Sequence, residues 1–491
     1  MKKMKKLMKA MTGFLLSGLI FIFASCTQKE VAPPEAAGPV PDQRQMAWHE
    51  MERNAFIHFT INTFTDKEWG YGDESPKLFN PTDFDADQWV SVLKDTGFKG
   101  VILTCKHHDG FCLWPSEYTE RSVKNSPFQN GNGDVVKAVS DACRKYGLKF
   151  GVYLSPWDRS RPDYGQPSYI EYYRNQLREL FTDYGPVFEM WFDGANGGDG
   201  YYGGAREKRE IDRSTYYDWP TTLEMVRSMQ PQVLFFSDAG PDLRWCGNEQ
   251  GHMGETNWNT IATDTIYAGK SGISDLLNTG SEDGDRWIPG EVDTSIRPGW
   301  FYHASEDSLV KTPEQLFTIY LSSVGRGSTL LLNVPPDRRG RFHENDVRSL
   351  RGFNALLDSV FSTDLALKAK VAASEVRGNS PKFAAPNVVD GDPETYWATN
   401  DSTTAGTLDV DLGEPKTIRF IQIQEYIKLG QRVKSFTVEA WTDNDWKQIA
   451  SGTTIGYKRI LKLNDPVTTA KVKVLISDAK ACPVISSVSL F

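Results

Sequence analysis

From Arg44 to about Leu365, short apolar runs alternate with segments of helical spacing, the pattern of a parallel sheet built from βα units. The strand-like runs are 55–59, 100–104, 150–154, 187–192, 233–236, 299–303 and 330–334, and an eighth is placed near Gly251 to Trp258. Segments 86–96, 134–146, 168–183 and 215–229 have helical spacing, with Gly97, Gly147 and Gly185 positioned as helix stops. These elements predict an α/β fold, a (β/α)8-like TIM barrel over 44–365. That span exceeds the ~250 residues typical of the fold, and the Gly-rich segments 194–204 and 239–256 supply the excess as long loops. Beyond Leu365 the helical pattern stops. Short alternating strands such as Thr407–Leu412 and Phe436–Trp441 predict an all-β sandwich over 366–491.

The N-terminus follows a different logic. Lys2, Lys3, Lys5, Lys6 and Lys9 precede an apolar run from Phe14 to Ala24, too short to span a bilayer, and this reads as a signal peptide over 1–25. The stretch Phe23-Ala24-Ser25-Cys26 resembles the bacterial lipobox, although Phe23 stands where Leu is usual, and the resemblance implies a lipid anchor on Cys26. Residues 26–43, rich in Pro, Ala and Glu, read as an extended tether. The expectation is an exported lipoprotein held in the cell envelope of a Gram-negative bacterium, in the periplasm or at the cell surface.

Composition narrows the partner. With 55 Lys+Arg against 64 Asp+Glu, the net charge of −9 argues against nucleic acid and for a neutral ligand. The 14 Trp, 19 Tyr and 26 Phe mostly serve packing, but offer faces on which sugar rings stack. Cys105, Cys112, Cys143, Cys246 and Cys482 show neither a Cys-x-x-Cys pair nor zinc-ligand spacing, so the sequence implies no metal at the site and no cofactor.

Active-site groups of such barrels sit at the C-terminal ends of strands. Here the first run holds His58, and the second leads into Lys106-His107-His108-Asp109-Gly110. The third carries Tyr153, and the fourth ends Met190-Trp191-Phe192-Asp193-Gly194. One histidine on an apolar strand is more often structural than functional; three at two strand ends are not so easily dismissed. Asp193, flanked by aromatics and followed by glycine, is the sharpest candidate for a nucleophile, its alternative being a helix N-cap. A retaining glycosidase needs a second carboxyl about 5–5.5 Å away, protonated at rest. Asp238, Asp242, Glu249 and Glu255 all qualify by position, and spacing alone does not choose among them.

The set Ala55–Phe59, Lys106–Phe111, Gly151–Ser155 and Trp191–Gly194 closely resembles the family 29 glycoside hydrolases, the retaining α-L-fucosidases, from about Met46 to Leu357. The resemblance implies that Asp193 is the nucleophile and that His58, His107, His108, Tyr153, Trp191 and Trp300 surround fucose. Segments 62–70 and 240–249 look like the subgroup preferring α-1,3/1,4-linked fucose, as in Lewis-type glycans. In that subgroup the Glu four residues after the Arg-Trp pair is the acid/base, which falls on Glu249, with Glu255 as the alternative. Glu68 and Trp69 would then hold fucose or the neighbouring galactose. The implied partner is a fucosylated oligosaccharide or glycoconjugate.

The tail resembles discoidin-like (F5/8 type C) domains through Asn387–Asp392, Thr395 and Trp397. In relatives this turn often holds a structural calcium with the help of a late Glu, a position that here falls on Ser487. Two rival readings stand beside the fucosidase: a surface lipoprotein that binds sugar with an inactive barrel, and a glycosidase for another sugar such as galactose. Transfer of fucose to an acceptor sugar is a further outcome of the same intermediate.

Overall fold

The computed structural model describes residues 30–491. The expected signal peptide and the expected lipid anchor on Cys26 fall outside the described residues. No helix among the described residues is long and apolar enough to cross a membrane.

Eight strands close a parallel barrel: β1 (Arg53–Ile57), β2 (Gly100–Lys106), β3 (Lys149–Leu154), β4 (Glu189–Trp191), β5 (Leu234–Ser237), β6 (Leu243–Trp245), β7 (Gly290–Ser295) and β8 (Thr329–Asn333). Each strand pairs with its sequence neighbours, and β8 closes on β1 with Ala55 opposite Leu332. Alternation along the strands divides the apolar residues into two cores. Phe56, Ile102, Tyr153, Trp191, Phe236 and Leu331 fill the interior, while Ala55, Val101, Leu103, Val152 and Met190 pack outward against the helices.

The helices start and stop for local reasons. In α1 (Ala86–Asp95) and α2 (Val135–Tyr146), Asp85 and Asp134 cap the free N–H groups of the first turn. Gly147 ends α2 at φ 71°, a left-handed conformation that costs glycine least. α3 (Pro167–Asp183), α4 (Trp219–Met229), α5 (Pro313–Ser322) and α6 (Glu344–Phe361) complete the main ring. Between β5 and β6 there is no helix, only Asp238 to Asp242.

Two strand assignments need correction. Residues 299–303 form no strand; this apolar run is a loop whose Trp300 and Phe301 amides donate to the Glu68 carboxylate at 2.8 and 3.1 Å. The region 251–258 is also loop, and the barrel strands are instead Leu243–Trp245 and Gly290–Ser295. The latter escapes an apolar search because its polar residues point inward. Glu291 accepts the Trp191 indole N–H, Asp293 that of Trp245, and Ser295 an amide N–H from Asn333.

The C-terminal domain is an antiparallel set of β9 (Lys370–Ala373), β10 (Trp397–Ala398), β11 (Gly406–Glu425), β12 (Val433–Thr442), β13 (Asp445–Gly452), β14 (Arg459–Ala479) and β15 (Val484–Leu490). Register shifts in the long β11–β14 pair let the sheet bend over a core of Leu408, Val438, Val474 and Val488. The tether reading does not hold up to residue 43. Ala37 N donates to Leu429 O at 3.0 Å and Arg432 Nη2 to Glu35 O at 2.5 Å, which fixes this stretch to the sandwich.

The calcium turn is incomplete. The Thr395 hydroxyl lies 2.7 Å from Asp390 Oδ2, 3.1 Å from Asp392 O and 3.4 Å from Asn387 O. Calcium takes six to eight oxygens, and Ser487 offers a hydroxyl paired with Ser489 where a carboxylate would be needed. The turn keeps the Asp and Thr oxygens of the resembling domains and lacks their late carboxylate.

Candidate active site

At the C-terminal ends of the strands the barrel opens into a cavity of about 240 Å³. This is smaller than the ~300–1,000 Å³ of drug-sized pockets and suits one sugar ring. Its floor is aromatic. Trp191 stacks on Phe236 with ring centroids 4.1 Å apart, and Tyr153 and Phe56 pack beside it.

Three imidazoles form one wall, and burial keeps all of them neutral. It pulls His58 and His108 down to about 3 and His107 well below its ordinary value. Their tautomers follow from the hydrogen-bond network. Asn333 spends its amide N–H groups on Ser295 and the Trp300 carbonyl, so its Oδ1, 2.8 Å from His58 Nδ1, accepts a proton from it. Ser155 donates to Trp157 O and therefore accepts from His108 Nδ1 at 2.7 Å. Both rings are left with Nε2 as an acceptor for a sugar hydroxyl.

Asp193 stands two residues beyond the end of β4. Its Oδ2 accepts the Tyr153 hydroxyl at 2.8 Å and its Oδ1 the Ala195 amide at 2.6 Å. The next main helix begins only at Trp219, so the carboxylate caps no helix. Burial raises its pKa, and these two donors pull it back. Glu249 lies in the loop after β6. Burial raises its pKa as well, opposed by the Trp300 indole N–H at 3.2 Å and reinforced by the negative charges of Asp193 and Glu68.

Three other carboxyls line the cavity, each tied to protein donors. Glu68 accepts the Trp300 and Phe301 amides and lies 2.7 Å from His303 Nε2. Asp238, raised to about 6 by burial and then by Asp193, accepts the Gly269 amide at 2.9 Å. Asp293, raised well above its ordinary value by burial and then by Glu249, accepts the Trp245 indole at 2.9 Å. Asp238 also explains Gly194: a Cβ there would lie 2.0 Å from its carboxylate.

All ten sequence-derived site residues, Asp193, Glu249, His58, Glu68, Trp69, His107, His108, Tyr153, Trp191 and Trp300, meet in this one cavity. Trp69 stands at the mouth, 52% exposed, with its edge against His108 and Trp157. Two of the four carboxyl candidates are absent. Glu255 points to solvent, paired with Arg326 at 3.1 Å, which removes it as the alternative acid/base. Asp242 is bound to Arg44 and Arg227 away from the cavity. Asp293 was not legible, because it sits on the strand that the apolar pattern missed. His107, His108 and Asp193 also present ligand atoms within 4.8 Å of one another, a donor set that a transition metal can use.

Comparison with known proteins bears on this geometry. The alpha-L-fucosidase family model matches residues 36–359, and the F5/8 type C domain model matches 370–487. The chain belongs to the alpha-L-fucosidase family. It is 42% identical over 457 residues to alpha-L-fucosidase 1 of Arabidopsis thaliana, covering 92% of this chain and 87% of the relative. A crystal structure of a glycoside hydrolase 29 family member from an unknown rumen bacterium is similar with a TM-score of 0.84 and 46% identity, covering 93% of this chain and 78% of that one. A glycoside hydrolase 29 fucosidase of Ruminococcus gnavus, solved in complex with fucose, gives 0.84 at 34% identity, with 94% and 96% covered. This alpha-L-fucosidase therefore carries a TIM-like catalytic barrel and an F5/8 type C domain.

Proposed function

We propose that the enzyme is an exo-acting, retaining α-L-fucosidase in which Asp193 is the nucleophile and Glu249 the acid/base. The observation that carries this reading is the division of labour among the cavity carboxyls. Glu68 accepts two backbone amides, and Asp238 and Asp293 each accept one N–H at 2.9 Å; Glu249 has only the longer 3.2 Å bond from the Trp300 indole, and its pKa is raised by burial and by the charge of Asp193, as a general acid requires. Asp193 attacks the anomeric carbon as Glu249 protonates the departing glycosidic oxygen, which leaves a covalent fucosyl-enzyme and a free sugar hydroxyl. Glu249, now a carboxylate, takes a proton from water; its oxygen attacks the same carbon, frees Asp193 and releases fucose with retention. The neutral imidazoles accept hydroxyl protons, and the aromatic floor receives the apolar part of the ring.

Preference for α-1,3/1,4-linked fucose in Lewis-type glycans is supported by segments 62–70 and 240–249, and by exposed Trp69 where a second sugar would stack. Fucose release from a Lewis-type trisaccharide, beside 2′-fucosyllactose, tests both parts. Release from the branched substrate alone, lost in Asp193→Asn and Glu249→Gln, is expected. Release from both substrates withdraws the linkage preference. A folded enzyme that binds sugar but releases none from either points to the inactive-barrel reading.

We also infer an exported lipoprotein anchored through Cys26, on the Lys-rich start, the short apolar run and the lipobox-like stretch. Cys26→Ala should move the protein from the membrane fraction to the soluble one.

A further inference from the structure

The loop that carries Glu249 is held twice: by the barrel at Glu249 itself, whose carbonyl accepts the Thr294 hydroxyl at 2.9 Å, and from outside the barrel a few residues further on. After β6 the chain passes Glu249 and reaches segment 255–259, where it lies against the C-terminal sandwich. Gln431, the residue before β12 by two, straddles this segment. Its Oε1 accepts the Asn259 amide at 2.9 Å, and its Nε2 donates to Asn257 O at 2.7 Å. The Thr454 hydroxyl accepts the Asn257 amide at 2.8 Å. Gln431, Thr454 and Asn257 are 3%, 3% and 2% exposed, so these bonds are made away from water, where an unpaired group costs most.

Asn257 relays this hold into the barrel. Its backbone is spent on the sandwich and its side chain on the barrel. Nδ2 donates to Arg326 O at 2.8 Å, and Oδ1 accepts Arg244 Nη2 at 3.2 Å. Arg244 belongs to β6 and is fully buried, with no carboxylate partner among the described residues; its guanidinium is satisfied by this amide and by carbonyls of Leu277, Ile288 and Trp258. Burial lowers its pKa to about 9. A cation held only by neutral acceptors is expensive to bury, and it stays in place only while those acceptors do. Arg244 directly precedes Trp245, which lines the sugar cavity, and lies five residues before Glu249.

From this chain of contacts we propose that the F5/8 type C domain is a working part of the active site, and that Gln431 and Thr454 are positioning residues for the acid/base Glu249. They act through Asn257 and Arg244 on the end of β6. The inference rests on the assignment of Glu249 as acid/base.

The test uses the full-length enzyme and aryl α-L-fucosides of graded leaving-group pKa, read as kcat/KM, which reports the fucosylation step. Glu249→Gln is the control. Gln431→Ala and Thr454→Val are the test variants, with Thr454→Ser as the conservative rescue. A misplaced acid harms poor leaving groups, which need protonation, more than activated ones, which do not. The expected result is a loss of roughly tenfold or more on the poorest leaving group, and less than about threefold on the most activated, with fucose affinity unchanged. Thr454→Ser should behave as wild type. Parallel losses across the series would assign the contacts to stability alone and overturn the proposal, as would no loss in either variant. If Gln431→Ala does not fold, Thr454→Val, which removes one hydroxyl, decides alone. Azide rescue of Glu249→Ala separates the two levels. If azide restores turnover while the test variants stay flat, only the sandwich proposal falls; if Glu249→Gln shows no leaving-group dependence, the acid/base assignment falls first and takes the proposal with it.

Discussion

At the scale of single residues, the proposed mechanism makes two raised carboxyls, Asp193 as nucleophile and Glu249 as acid/base, set the pH response. Asp193 works as the anion, so activity appears as pH rises through its pKa, which burial holds above the ordinary value. Glu249 works as the acid, so activity fades as pH rises through its own pKa, held up by burial and by the charge on Asp193. The kcat/KM profile is expected to be bell-shaped, its acid limb set by Asp193 and its alkaline limb by Glu249. The histidines, with His58 and His108 near 3, contribute neither limb. Glu249→Gln should lower kcat/KM on a natural glycan by about 10²–10⁴ and abolish the alkaline limb; a limb that survives would assign it elsewhere. Gly194→Ala is expected to cost activity without touching either group's chemistry. The new Cβ meets Asp238, and the turn that holds Asp193 must move, so kcat should fall by roughly tenfold or more. An unchanged kcat would show that Asp238 yields instead.

Among the elements, the barrel floor couples packing to the site. Phe236 is fully buried on β5 and stacks under Trp191, so Phe236→Ala should destabilise the fold by about 3–5 kcal/mol, read as a shift in the denaturant midpoint. The floor also shows where sequence patterns succeed and fail. β1, β2, β3, β5 and β8 are legible because outward packing against helices makes them continuous apolar runs, and the capping Asp85 and Asp134 mark helix starts. The seventh strand breaks that pattern: Glu291, Asp293 and Ser295 are buried polar groups whose partners come from other strands, Trp191 on β4, Trp245 on β6 and Asn333 on β8. The run 299–303 misleads in the opposite direction, since its apolar side chains are buried by a loop pinned to Glu68. For the same reason the site was legible where motifs sit at strand ends, as with His107, His108 and Asp193. Asp293 and the His-orienting residues Asn333 and Ser155 depend on contacts that no spacing announces.

Across the whole molecule, buried titratable groups tie stability to pH. Asp109 and Glu425 are both pushed up to about 7 by burial, from ordinary values of 3.8 and 4.5. Such groups stabilise the fold at acid pH and lose that contribution as pH rises through 7. The buried histidines work in the opposite sense, losing stability as pH falls below 6.5, so the two sets offset one another in the mildly acidic range. Asp109→Asn, which mimics the neutral acid in both states, isolates one carboxyl contribution: its Tm is expected to rise relative to the wild type as pH goes from about 4 to 7, and a Tm difference that stays constant over this range would contradict it. The central claim, a covalent fucosyl-enzyme on Asp193, is tested most directly on the intact chain. The enzyme is incubated with a 2-deoxy-2-fluoro-α-L-fucosyl donor bearing a good leaving group, and the trapped adduct is located by peptide mass mapping. A single fluorofucosyl adduct on the peptide carrying Asp193, absent from Asp193→Asn, is the expected result. An adduct on Asp238 or Glu249, or turnover of the donor with a product of inverted configuration, would contradict it.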